Sequence, residues 1–136
     1  MNPKPCKTCP FRPDIAPGEL GGGNPLTFVG QANGPFYLPC HAQPEYDPKG
    51  KDHADIGKVQ CAGAAIFRAN CGVTVPDGLL QAEPGPEAFG SFVEFIAHHT
   101  QRDAAEIAAL LERFPPDLLT AVEQRQAAVR PIHIPK

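Results

Sequence analysis

The amino-acid sequence predicts a small, mainly α-helical single domain whose N-terminal half is irregular and loop-rich. A chain of 136 residues has room for one domain with a modest core. Proline accounts for 17 of these residues, well above its usual share of about 5%, and most of the prolines lie before position 87. They stand beside many of the 13 glycines, which also interrupt regular structure. After position 86, apolar residues recur at helical spacing, which predicts about three C-terminal helices.

The first third of the chain predicts coil followed by one helix. Residues 1–23 contain several closely spaced prolines and a run of three glycines, and we expect an irregular segment there. Asn24 before Pro25 is typical of a helix start, with asparagine as the N-cap and proline at the first helical position. This helix is expected to end near residues 33–35, where asparagine, glycine and proline follow one another.

The middle of the chain changes from loop to helix at Cys61. Residues 36–38 form a short apolar run that we expect to be extended, and the polar, turn-rich residues 43–57 predict a surface loop. The residues after Cys61 are mostly compatible with a helix, which is expected to end near residues 70–72. Cys61 would then lie at a helix N-terminus, where the helix dipole favours a thiolate.

The last part of the chain predicts a short strand over 73–76 and then three helices. The first helix is expected over 86–99, where aromatic and aliphatic residues recur at helical spacing. The second is expected to begin at Asp103, because Glu106 three residues later resembles a capping box, and to end at a pair of prolines. The third is expected over about 117–128.

Composition and charge exclude several classes of function. Hydrophobic residues make up 42%, charged residues 20%, and the net charge is −3, so no basic field would attract nucleic acid. No apolar run approaches the roughly 20 residues of a spanning helix, and no signal-peptide pattern is present. We therefore expect a cytoplasmic protein without membrane contact, formed by one domain over 1–130 and an extended tail over 131–136. Reduced thiols, rather than a disulfide framework, are expected in that compartment.

Four of the five cysteines lie in three short motifs that together predict one metal or iron–sulfur site. The first motif contains Cys6 and Cys9 in the pattern Cys-x-x-Cys-Pro-Phe-Arg. The second contains Cys40 followed by His41, and the third is Cys61-Ala-Gly. Thiolate is a soft ligand, so four of them narrow the candidates to zinc and iron–sulfur clusters. Prolines on both sides of the first pair stiffen its loop and reduce the entropy lost on ligation.

The spacing favours a [4Fe-4S] cluster bound by Cys6, Cys9, Cys40 and Cys61, with Zn²⁺ as the alternative. Structural zinc commonly uses two paired knuckles. Here one pair is joined by two single cysteines, which suits the four corners of a cubane. A Cys3His zinc site with His41 in place of Cys40 is chemically acceptable. Adjacent residues of an extended segment point apart, so we expect only one of the two to ligate and favour Cys40.

Three further residues are candidates around this site. Cys71 lies ten residues after Cys61 and is an alternative ligand, although we interpret it as a small buried residue at a helix end. Arg12 either donates hydrogen bonds toward the cluster sulfurs or is a solvated cation, and both interpretations stay open. Gly63 would let the backbone approach the inorganic core closely.

A pair of adjacent histidines follows later in the chain. His98 and His99 are neighbours on a predicted helix and therefore face different directions. We interpret them as ordinary surface or half-buried histidines and not as a paired ligand site.

The three cysteine motifs, in this order, resemble a family of small phage and actinobacterial proteins. That family is marked by Cys-x-x-Cys-Pro-aromatic-Arg, then Cys-His, then Cys-Ala-Gly, which here correspond to residues 6–12, 40–41 and 61–63. The resemblance covers about the first half of the chain, and the family often has tryptophan where this chain has Phe11. It implies that the four cysteines act as a set and leaves Cys71 outside it.

We therefore expect a cluster-binding protein and not an enzyme. A cluster with all four corners held by protein suits electron transfer, sensing or a structural role. The alternative is a structural zinc module, phage-encoded, that acts as an interaction or regulatory protein on an unidentified protein partner. A thiol-dependent enzyme using Cys40 or Cys61 with His41 is the weakest of the three, because no positioned acid or oxyanion motif accompanies them.

Overall fold

The structure is a computed structural model that describes residues 5, 9–18, 20, 24–34, 61–75 and 79–129. Within these residues the chain forms five helices and no strand. The helices are α1 (Pro25–Asn33), α2 (Ala62–Asn70), α3 (Phe92–Thr100), α4 (Ala104–Arg113) and α5 (Pro116–Val129). The mainly helical class and the three C-terminal helices are confirmed. Among the helices of the described residues, none has the length and apolarity needed to cross a membrane.

Helix α1 begins where the sequence predicts and packs mainly against α5. The Asn24 side chain accepts the Leu26 N–H at 2.8 Å, and Pro25 occupies the first helical position. On the face toward α5, Thr120 Oγ1 donates to the Gly30 carbonyl at 2.6 Å. A Cβ on Gly30 would lie 2.7 Å from the Leu119 carbonyl oxygen, so the two helix backbones approach closely because this residue is glycine.

Helix α2 is central, and its residues 63–68 are all buried. It ends in a Schellman motif: the Gly72 N–H binds the Ala69 carbonyl, and the Val73 N–H binds the Arg68 carbonyl at 2.9 Å. Gly72 has a φ of +75°, a left-handed conformation that glycine adopts without strain.

The predicted strand over 73–76 is wrong for its described residues 73–75, which are irregular. The Val73 N–H is already engaged by the end of α2, and the described residues contain no strand with which this segment could pair.

The helix predicted over 86–99 begins later than expected, at Phe92. Ser91 is the N-cap and its hydroxyl accepts the Glu94 N–H at 3.2 Å, while the Glu94 carboxylate accepts the Gly90 N–H. These contacts form a variant of the capping box that the sequence analysis missed. The residues before it form a turn because the Asn70 side chain binds their backbone, accepting from the Gly85 N–H and donating to the carbonyls of residues 85, 88 and 89.

The start of α4 agrees with the prediction in one respect. Asp103 is the N-cap and accepts the Ala105 N–H. The second contact of the predicted capping box, in which the Glu106 carboxylate would accept the Asp103 N–H, is wrong. The Glu106 carboxylate pairs with Arg102 instead, at 2.6 Å.

The core is an aromatic cluster that includes a residue from the N-terminal loop. Phe11 is buried, and its ring centroid lies 5.0 Å from that of Phe67 and 5.3 Å from that of Phe95. The Phe11 carbonyl also accepts the Phe89 N–H at 2.9 Å. The segment that follows Cys9 is therefore anchored in the core, although it has no regular secondary structure.

Candidate metal centre

The structure brings two of the four predicted ligands together. The Sγ atoms of Cys9 and Cys61 are 3.7 Å apart, although the two residues are separated by 52 positions in the sequence. Both are free thiols, and their exposed fractions are 1% and 7%. Cys9 comes from the N-terminal loop and Cys61 from the start of α2, so packing, and not sequence proximity, creates the pair.

Cys61 occupies the N-cap of α2, as the sequence predicts. Its Sγ accepts the Ala64 N–H at 3.3 Å. This backbone donor and the positive end of the helix dipole both favour negative charge on the sulfur.

Gly63 is the residue that makes room for the Cys9 sulfur. A Cβ built on Gly63 would overlap Cys9 Sγ and would also lie 3.4 Å from the Cβ atoms of Phe11 and Pro5. The absence of a side chain therefore allows the Cys9 sulfur to lie against the first turn of α2. The sequence predicts that Gly63 lets the backbone approach an inorganic core, and that stays a prediction; what the structure shows beside Gly63 is the sulfur of Cys9, one of the predicted ligands.

Two histidines of α3 bind the loop that carries Cys9. His99 Nδ1 accepts the Gly18 N–H at 3.0 Å, and its other ring nitrogen, Nε2, lies 2.8 Å from the Pro10 carbonyl oxygen. Since a carbonyl only accepts, Nε2 carries the proton and donates. His98 Nε2 likewise donates to the Ile15 carbonyl at 2.6 Å.

The interpretation of His99 as a surface or half-buried residue is wrong. Its exposed fraction is 7%, and burial lowers its pKa, an effect that the Pro10 carbonyl opposes and nearby His98 reinforces. The signal in the sequence was weak: His99 lies four residues after Phe95, on the face that packs into the aromatic core.

The Cys9 thiol and burial both affect the ionisation of Cys61. The hydrogen bond with the Cys9 thiol raises the pKa of Cys61 well above its ordinary range, burial raises it further, and the backbone N–H groups of Ala64 and Gly63 oppose the rise. Without a metal, Cys61 is therefore a neutral thiol near pH 7, and a metal must displace its proton to bind. A buried neutral thiol is also a poor nucleophile, which argues against thiol catalysis at Cys61.

Arg68 is a buried cation that the sequence analysis did not single out. Its exposed fraction is 4%, and its guanidinium donates to three carbonyls at the end of α1: Ala32 at 2.9 Å, Gln31 at 3.1 Å and Gly34 at 3.2 Å. Burial lowers its pKa to about 10, and negative charge on Cys61, when that thiol is ionised, opposes the shift. The sequence carried a signal for this burial. Arg68 follows an apolar run, and it lies seven residues, or about two helical turns, after Cys61, which puts both on the same side of a helix.

Cys71 lies at the opposite end of α2 from Cys61. The helix between them has nine residues, which corresponds to an axial rise of about 14 Å. Two sulfurs on one zinc ion lie within about 4 Å of each other, so this separation disfavours Cys71 as a ligand beside Cys61. Burial raises the pKa of Cys71 to about 12, and the Glu94 carboxylate adds to the effect.

Arg12 forms a bidentate ion pair with Asp14. Its Nε and Nη2 lie 2.9 and 2.7 Å from the two carboxylate oxygens. Hydrogen bonding from Arg12 lowers the pKa of Asp14. The predicted action of Arg12 on cluster sulfurs stays a prediction.

The described residues supply two of the predicted donors. Within that part of the chain, no group of three or more His, Cys, Asp or Glu side chains could hold a metal ion. Cys6, Cys40 and His41 lie outside the described residues. The four-cysteine set therefore stays a prediction, of which the contact between Cys9 and Cys61 is the described part.

The chain matches no family model, no curated protein and no solved structure. The resemblance carried by the three cysteine motifs stays a prediction.

Proposed function

We propose that this chain is a small metal-binding protein whose centre is ligated by Cys6, Cys9, Cys40 and Cys61, with a [4Fe-4S] cluster as the cofactor that their spacing favours. The observation that supports a shared centre is the buried contact between the sulfurs of Cys9 and Cys61, 3.7 Å apart, whereas the choice of a cluster rests on the spacing of the motifs. The cofactor serves electron transfer, sensing or structure, because four protein thiolates leave no open position for a substrate.

The surroundings of the pair support ligation over simple packing of two core thiols. An ordinary buried cysteine behaves as a small apolar side chain. Here the Cys61 sulfur faces a backbone N–H at a helix start, and it lies where the neighbouring Cys9 thiol disfavours its ionisation. A bound cation removes that conflict, because it replaces the proton and attracts both thiolates.

Zinc is the second candidate, and the distance between the two sulfurs favours it. Two thiolates on one tetrahedral zinc, each about 2.3 Å from the ion, are about 3.7 Å apart. In a cubane each thiolate binds a different iron, so these two sulfurs would have to separate when a cluster binds. A zinc centre would make the chain a structural module that presents its surface to a protein partner, with His41 as an alternative to Cys40.

The deciding experiment is to count iron, acid-labile sulfide and zinc in chain purified without oxygen. A [4Fe-4S] protein contains about four irons and four sulfides per chain and is brown. A zinc module contains about one zinc and no sulfide. Chain that binds neither metal, as purified and after reconstitution, would overturn the proposal.

Serine variants then identify the ligands. Cys9→Ser and Cys61→Ser are expected to lose the metal. Cys71→Ser is the matched control, because it removes a thiol at the far end of α2 and should leave the metal content unchanged. Equal loss in all three variants would indicate misfolding and not ligation.

A further inference from the structure

His99 joins α3 to both ends of the loop formed by residues 9–18. It accepts the Gly18 N–H at Nδ1 and donates to the Pro10 carbonyl at Nε2, over distances of 3.0 and 2.8 Å. A buried imidazole that uses both ring nitrogens has one orientation and one tautomer, because any rotation would leave buried polar groups without partners. The side chain is therefore a fixed brace between the helix and the loop.

The brace acts on the backbone next to a proposed ligand. Pro10 directly follows Cys9, and the hydrogen bond to its carbonyl fixes the peptide unit between Pro10 and Phe11, one residue away from the carbon that carries the Cys9 side chain. Within the loop, the Arg12 N–H binds the Cys9 carbonyl at 3.2 Å. The other described hydrogen bonds that carbonyls of this loop accept from outside it reach Phe11, Ile15 and Gly18, further along the chain. Among the described hydrogen bonds from outside the loop to its backbone, that of His99 to Pro10 therefore lies nearest to Cys9 in the sequence.

We infer that His99 is a positioning residue of the thiolate centre, which holds the Cys9 sulfur against the Cys61 sulfur without binding the metal itself. This inference rests on the proposed function and adds to it a role that no ligand performs. Hydrogen-bonding partners that orient metal ligands typically contribute about 10- to 100-fold to metal affinity.

Three substitutions separate the two hydrogen bonds of His99. His99→Phe keeps a ring in the aromatic core and removes both bonds. His99→Gln places an amide donor near the former Nε2 position, toward Pro10. His99→Asn places an oxygen acceptor near the former Nδ1 position, toward Gly18. If the Pro10 bond directs Cys9, glutamine should restore more of the metal affinity than asparagine.

Ile107→Val is the matched control for a general loss of stability. Ile107 is buried in α4, and the substitution is expected to reduce the free energy of unfolding without removing a hydrogen bond to the loop.

The primary measurement is titration of the full chain with cobalt(II) alone, followed by the thiolate-to-cobalt absorption. We expect the dissociation constant to rise about 10- to 100-fold in His99→Phe and to recover in part in His99→Gln. We expect it to stay within about threefold of the wild-type value in Ile107→Val, because that substitution removes no hydrogen bond to the loop and only one methyl group from the core. A second measurement needs no metal: the rate at which a thiol reagent labels Cys9 in the presence of a chelator, read by peptide mass spectrometry.

Two results would overturn the inference. One is a wild-type cobalt affinity in His99→Phe, and the other is a loss no larger than that of Ile107→Val. If His99→Phe does not fold, wild-type affinity in both the glutamine and asparagine variants would also overturn it.

The proposed function is refuted by a different result, in which wild-type chain binds no cobalt, zinc or iron. The labelling rates then decide the positioning role. Faster labelling of Cys9 in His99→Phe than in Ile107→Val supports it, and equal rates overturn it.

Discussion

Replacing Gly63 by alanine tests whether the space beside Cys9 matters for the metal. The new Cβ would overlap the Cys9 sulfur, which is 1% exposed and in contact with Cys61. The sulfur can yield only by rotating or shifting, and either movement carries it away from its partner. Gly63→Ala is therefore expected to impair metal binding more than folding.

Gly30→Ala is a matched control, because it also places a methyl group in a tight helical contact. There the obstacle is the backbone of Leu119, whose carbonyl oxygen and carbon would lie 2.7 and 2.8 Å from the new Cβ. A helix backbone cannot rotate away as a side chain can, so α1 and α5 must separate. The proposed ligands are not involved in that contact.

The magnitudes follow from two opposing effects. Alanine in place of glycine gains up to about 1 kcal/mol of helix propensity, and overpacking costs about 1–3 kcal/mol. We expect a net loss in unfolding free energy of about 2 kcal/mol for Gly30→Ala, near the upper end of the overpacking range. For Gly63→Ala, whose neighbour is a movable side chain, we expect about 1 kcal/mol.

Urea unfolding in the presence of a chelator measures the stability effect, and cobalt(II) titration measures the effect on the metal site. Gly63→Ala should weaken cobalt binding at least about tenfold, as displacement of a ligand does, while Gly30→Ala should bind cobalt like the wild type. Wild-type affinity in Gly63→Ala, or an equal loss in both variants, would refute this reasoning.

Three further predictions concern polar side chains that are buried or half-buried. Arg68→Met should lower the unfolding free energy by about 3 kcal/mol, because three carbonyls at the end of α1 lose a charged donor. Asn70→Ala should cost about 2 kcal/mol, because the turn before α3 loses its partner for one N–H and three carbonyls. Urea unfolding measures both. Burial lowers the pKa of His99 in the folded chain below 6.5, so the unfolded chain takes up the proton first. The unfolding free energy should therefore fall as the pH drops below about 6.5 and level off below the folded pKa.

Each of these predictions has an outcome that contradicts it. Arg68→Lys should restore little stability, because one ammonium cannot reproduce the planar fork of a guanidinium; full recovery would show that charge alone matters. Asn70→Asp keeps an acceptor for the Gly85 N–H but turns an anion toward three carbonyls, and wild-type stability in this variant would refute the assigned contacts. His99→Phe should have a shallower pH dependence between pH 5 and 8, and an unchanged slope would assign the effect to other groups.

The helices were predicted from the sequence where their ends depend on nearby residues. Asn24 and Asp103 bond to amides two residues ahead, and Cys61 to an amide three residues ahead. Such contacts close within one turn, so residue type and spacing suffice to recognise them. The start of α3 was misplaced although Ser91 and Glu94 form a local cap of the same kind. What the sequence pattern does not show is that Asn70 binds the backbone of residues 85, 88 and 89, which lie 15 to 19 positions later and form a turn.

The same distinction between local and long-range contacts applies to the candidate centre. By itself the sequence identified the cysteine motifs and singled out Gly63 beside one of them, because both depend on residue type and local spacing. Only the tertiary structure decided that Cys9 meets Cys61 and that Arg68 and His99 are buried. Their partners lie 34 to 89 residues away in the sequence. Contacts over such separations form only when the aromatic core packs together. No local sequence pattern predicts which residues that packing brings into contact.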